Sequence, residues 1–128
     1  VTLMLLIGHE LIPSEPFYRV VSTQEIAKTP PQAVVMFDFD PTLSAYCVEN
    51  NVSFALHVKH IKELILANAL GASYFVVDKG LALHAQKIAD DYLFDGKVLL
   101  VGNDDNEIEF AASHAIDGIL FEKGIRSL

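Results

Sequence analysis

Apolar residues in this 128-residue chain come in short, unbroken runs. Segments of strand length occupy 2–7, 18–21, 33–37, 52–58, 74–77, 98–101 and 118–121. Most are continuous rather than alternating, the mark of strands covered on both faces. Helix-like segments separate them, each with its own punctuation. Ser22 with Glu25 three residues on forms a capping box, opening a short helix that Pro30 and Pro31 close. Asp40 followed by Pro41 fits an N-cap with proline in the first helical turn, where a missing N–H costs nothing. In 59–70, Ile61, Leu64 and Ile65 recur on one side, and Gly71 stands where a C-terminal cap belongs. Spans 81–94 and 105–115 behave alike, the second preceded by Asp104 in capping register with Glu107.

Strand and helix alternating from 33 to 121 imply right-handed crossovers and a mainly parallel sheet. The expected fold is a single three-layer α/β domain over 1–128, with a Rossmann-like core. The alternative is half of a (β/α) barrel, since "ALGASYFVVDKG" and "ASHAIDGILF" share the small-residue then apolar-strand cadence of such barrels. Eight full units are not expected in this length, whereas a half-barrel pairing with a second copy is.

Composition narrows the classes. Hydrophobic residues are 52% and charged residues 20%, values of a folded domain with much buried sheet. Nine basic against seventeen acidic residues give a net charge of −8, which repels phosphate backbones and anionic lipid heads, so neither nucleic acid nor membrane is an expected partner. The longest apolar run, 3–7, is far too short to span a bilayer, and no basic leader precedes it, so no signal peptide is expected. The lone Cys47 cannot form an internal disulfide and fits a cytoplasmic protein. Abundant Phe, Leu, Ile and Val lead to an expected homodimer.

Ligands of parallel sheets sit outside the carboxyl ends of the strands. Here those ends carry His9 and Glu10, Asp38 and Asp40, His57, Lys59 and His60, Asp78 and Lys79, then Asn103, Asp104 and Asp105. Acids brought together by adjacent strands need a cation or Lys79 to offset their repulsion. An oxygen-rich set without thiolates favours magnesium over zinc. The same acids also suit helix caps, Asp40 and Asp104 above all.

The stretch "VVMFDFDPTL" resembles the first signature of the haloacid dehalogenase superfamily, an apolar strand followed by D-x-D-x-T-L, and "KVLLVGNDDNEIEF" is similar to its last. The resemblance covers about 33–121 and implies a magnesium-dependent phosphohydrolase acting on a small phosphorylated molecule. Carried over, Asp38 is the nucleophile and a metal ligand, Asp40 the proton carrier, and Asp104 or Asp105 the acid completing the metal site in place of Asn103. Lys79 falls near the family's phosphate-binding lysine, with Lys87 as the other candidate. With Lys79, Thr42 of the first signature and His57, which ends the strand where the family has Ser or Thr, are the candidate substrate-binding residues. The sequence departs from the family at Pro41, where a glycine is usual. The stretch "PTLSAYCVENNVSFALHVKHIKELILANALGASYFVV" more weakly resembles the second half of the class I aldolase barrels that cleave keto-deoxy-phosphogluconate, which implies a Schiff-base lysine at Lys79, or the pair Asp78 and Lys79. The alternative to an enzyme is a non-catalytic α/β module that binds a small ligand or assembles with itself.

Overall fold

The computed structural model describes residues 3–128; Val1 and Thr2, where the first expected strand begins, lie outside the described residues. Eight strands and five α-helices follow one another: β1 (Leu5–Ile7), β2 (Phe17–Arg19), α1 (Thr23–Ala27), β3 (Val34–Asp38), α2 (Pro41–Glu49), β4 (Phe54–His57), α3 (Ile61–Ala69), β5 (Tyr74–Val77), α4 (Lys79–Asp91), β6 (Lys97–Gly102), α5 (Asn106–Ser113), β7 (Gly118–Phe121) and β8 (Ile125–Arg126), the last reached by a 3₁₀ turn at Glu122–Gly124. Local signals set several boundaries as expected. Ser22 Oγ accepts from Glu25 N, and Glu25 reaches back to Val21 N. Asp40 caps α2 ahead of Pro41. Gly71, after α3, takes φ +93°, a conformation only glycine adopts without strain. At α5 the capping differs: Asp104 Oδ1 accepts from Asn106 N, a local turn two residues long, and Asp105 holds the cap position.

All strands join one sheet in the order β1-β7-β6-β5-β4-β3-β2-β8, and every neighbouring pair is parallel. From β2 to β7 consecutive strands lie side by side without reversal. Right-handed crossovers between such strands put every helix on the same face. That face packs Val35, Phe37, Leu56, Phe75 and Leu100 against Leu43, Cys47, Leu64, Ala85 and Ala111 of the helices. Phe37 and Phe54 stack there with centroids 5.8 Å apart. Burying each such ring contributes about 1.5–3 kcal/mol. Gln86, buried on α4, satisfies itself by donating to Asp90 and accepting from Asp117 N, while Asp117 Oδ2 accepts from Val98 N.

Among the described residues, the buried core of the other face contains no helix residue. It comprises Ile7, Phe17, Val34, Met36, Ala55, Val76, Leu99 and Leu120, all from strands. Phe17 of β2 touches Tyr74 of β5 at 5.1 Å between centroids, although β3 and β4 lie between those strands in the sheet. The sheet therefore curls so that its inner face covers itself. Its two edges approach where β1 ends: a Cβ on Gly8 would stand 2.5 Å from Gly124 Cα, just before β8.

The protein is thus the mainly parallel, single-sheet α/β domain expected, in its half-barrel form, with one helix layer rather than two. Continuous apolar runs reveal that both faces are buried but not by what, and here the opposite wall of the curl does what a second helix layer would do. Eight strands fit because each has only two to six residues, and because β1 to β2 and β7 to β8 are joined without α-helices. Among the described residues no helix is long and apolar enough to cross a membrane.

Candidate functional site

Side chains alternate between the faces of a strand, so the residue two beyond an inward one also points inward. Continuing that step from the apolar inner core reaches Arg19 from Phe17, Asp38 from Met36, His57 from Ala55, Asp78 from Val76, Glu122 from Leu120 and Ser127 from Ile125. The inner face thus changes from apolar to mostly polar within one step at its carboxyl end, Val101 after Leu99 excepted. A cavity of about 390 Å³ opens there, with Met36, Val101 and Ile125 as an apolar floor and Arg19, His57, Asp78, Glu122 and Ser127 around it. A larger hollow of about 690 Å³ lies at the opposite end, between the connections entering β3 and β4. Its lining, including Thr29, Pro30, Gln32 and Asn51, holds no carboxylate, imidazole or basic group, so the smaller cavity is the better candidate.

His57 is the centre of the mouth. In register it faces Asp38 across the β3–β4 ladder, and Asp78 follows β5 on its other side. Nδ1 lies 3.5 Å from Asp38 Oδ1 and Nε2 lies 3.8 Å from Asp78 Oδ1. Both separations are too long for a hydrogen bond. The ring is 21% exposed, against 63% and 77% for the two carboxylates, and Nε2 is buried without a hydrogen-bond partner. An unpaired buried ring nitrogen costs free energy unless something completes it.

The other expected site residues are distributed around the rim. Asp40 Oδ1 accepts from Leu43 N at 3.0 Å, and its carbonyl accepts from Ser44 Oγ at 2.8 Å, so this carboxylate is held in the helix cap. Thr42 lies on the exposed side of the first turn of α2. Lys79 opens α4 and turns to α5, with Nζ 3.8 Å from Glu107 Oε2 and 4.5 Å from the centroid of Phe110. Asp105 pairs with His9 at 3.0 Å. Asp38 ends β3 while Asp104 and Asp105 follow β6, with β4 and β5 between them. Among the described residues no group of three or more His, Cys, Asp or Glu is placed to hold a metal ion.

Three of the cavity residues escaped the sequence reading. Arg19 fell inside an expected strand at 18–21, whereas β2 ends at Arg19, and counting by twos from Phe17 would have found it. Glu122 follows Leu120 by the same step. Ser127 directly follows β8, a two-residue strand too short to leave a pattern.

A second histidine cluster lies across the rim. His9 Nδ1 accepts from Leu11 N at 3.1 Å and Nε2 meets Asp105, while the ring stands edge-on to Phe121 at 5.3 Å. No protein-family model matches the chain, and no curated protein matches it.

Proposed function

We propose that this protein is a small-molecule enzyme whose reaction is a proton transfer at the carboxyl mouth of the curled sheet, with His57 as the proton carrier and Asp38 and Asp78 as the carboxylates that orient it. The carrying observation is the His57 ring, buried at Nε2 without a partner and held between two carboxylates beside an apolar-floored cavity. Imidazole changes charge near neutral pH, and a general acid or base must reach the substrate's proton without being consumed by a structural bond. The test is NMR of histidine-labelled protein titrated with a panel of small carboxylic acids, amines and phosphate esters. Ligands of the site shift the His57 ring signals and leave those of His84 on α4 in place. A panel that never moves His57 would remove the reading; binding with no turnover would assign the non-catalytic module instead.

A second reading keeps the phosphohydrolase. Asp38 is exposed at the end of an interior strand, so its carboxylate oxygen has room to attack phosphorus, with His57 beside it to protonate the departing oxygen. Water then hydrolyses the aspartyl phosphate. Asp40, engaged in its cap, takes no part in this version, and no step is routed through a metal. Hydrolysis of an aryl phosphate, abolished in Asp38→Asn and retained in Asp40→Asn, would select it. Dimerisation, the expected partnership, would draw on apolar surface such as Tyr92 and Leu93, 74% and 85% exposed at the end of α4. Light scattering that gives a monomer at high micromolar concentration excludes it.

A further inference from the structure

We infer that the mouth recognises a small zwitterion of the amino-acid type, with Arg19 as the anchor for its carboxylate. This rests on the proton-transfer site proposed above and names what enters it.

Arg19 ends β2, an interior strand flanked by β3 and β8, and stands beside Met36 in register. It is the one lysine or arginine among the residues lining the cavity. Among the described residues it makes no ion pair within 4.0 Å, although Asp78 and Glu122 line the same cavity. Lys79, by contrast, is taken up by Glu107 and Phe110. A guanidinium and carboxylates that share a cavity without touching leave a gap of opposite charges. A molecule that carries both charges can bridge it.

Charge selects the class. The cavity lining presents one guanidinium against the carboxylates of Asp78 and Glu122. A phosphate dianion would gain one favourable partner and face two repulsive ones. A zwitterion brings an ammonium to the acids and a carboxylate to Arg19. The planar fork of arginine matches a carboxylate in two parallel hydrogen bonds, which a lysine cannot reproduce. The apolar floor of Met36, Val101 and Ile125 then receives an aliphatic side chain rather than a charged one. The cavity volume, about 390 Å³, is in the range of small-molecule sites.

The experiment is calorimetric titration of the full chain with the free protein amino acids, with the N-acetyl and the amide derivatives of whichever binds, and with inorganic phosphate. One or more aliphatic amino acids should bind, and removing either charge should weaken binding by about tenfold or more. Arg19→Gln should match the loss seen with the amide, and Arg19→Lys should restore only part of it. Arg19 is exposed, so both variants fold, and circular dichroism checks this. His84→Gln, exposed on α4 and outside the cavity lining, should leave the affinity unchanged. If phosphate binds and no amino acid does, if nothing in the panel binds, or if Arg19→Gln leaves affinity unchanged, the inference is overturned. The outcomes separate from those of the parent reading: amino acids that bind through Arg19 without moving the His57 signals would sink the proton-transfer proposal and leave this one standing.

Discussion

His9 and His57 both stand at carboxyl ends of strands beside an aspartate, and both are mostly buried, yet their surroundings differ in one respect. At His9 each nitrogen is committed: Leu11 N–H donates to Nδ1, so the proton sits on Nε2 and is donated to Asp105 at 3.0 Å. The ring is 11% exposed and braced by Phe121. At His57 two carboxylates stand at 3.5 and 3.8 Å and neither closes a hydrogen bond. A histidine whose nitrogens are all satisfied holds a structure together; one left short of its acceptors inside a cavity can serve a ligand. The pair teaches that spacing in sequence, or even proximity to an acid, does not identify a working imidazole, whereas the state of its two nitrogens does.

The largest effect that bears on this contrast is expected at Gly8, which seats His9. Its φ of +88° and a Cβ 2.5 Å from Gly124 Cα make Gly8→Ala strained twice over. The loss should be about 3 kcal/mol or more in urea unfolding. Gly80→Ala, with nothing within 4 Å of the added Cβ, should cost nothing or stabilise α4 by up to about 1 kcal/mol. Equal losses at both glycines would refute the seam between the sheet edges.

Next comes the direct comparison of the two rings. His9→Ala should cost about 2 kcal/mol, since it orphans an N–H and empties a packed site. His57→Ala should cost about 1 kcal/mol or less, because the ring is not hydrogen-bonded and its removal opens onto solvent. Chemical denaturation of both variants gives the ranking, and the reverse order would undo the distinction. Asp105→Asn should change stability by no more than about 0.5 kcal/mol, as its side chain is 78% exposed.

Asp40 gives a smaller reading on the His57 side. Asp40→Ala should cost about 1 kcal/mol through the lost bond to Leu43 N, and Asp40→Asn almost nothing, because an amide oxygen caps as well as a carboxylate. A large loss of activity in Asp40→Asn without a loss of stability would return Asp40 to the chemistry.

The smallest effect serves as the control for α2, the helix that follows Asp38. Burial pushes the Cys47 thiol up to about 11 from 9.0. The folded value lies above the unfolded one, so its contribution to stability is fully present below pH 9 and is lost as pH rises through about 11. At pH 8 native protein should give no adduct with a thiol reagent over a time in which urea-unfolded protein reacts completely. Reaction in a site variant would show that α2 has come away, and that any loss of binding there is unfolding.

Much of the architecture could be read along the chain. The capping box at Ser22, the Asp40–Pro41 helix start and Gly71 act over a few residues, and the apolar runs placed seven of the eight strands to within a few residues. Parallel pairing followed from alternating strands and helices, and the polar strand ends put His57, Asp38 and Asp78 on one edge. Three things needed the tertiary structure. The curl arises from twist accumulated over eight strands and from contacts such as Phe17 with Tyr74, which no local pattern records. It decided that the inner face would be covered by itself, and it brought Arg19, Glu122 and Ser127 around one cavity from distant parts of the chain. The same long-range geometry brought Asp105 into hydrogen-bond reach of His9 and left Asp38 and Asp78 beyond it at His57. Short-range propensity depends on a residue and its near neighbours, but a hydrogen bond between distant strands depends on where the whole sheet carries them.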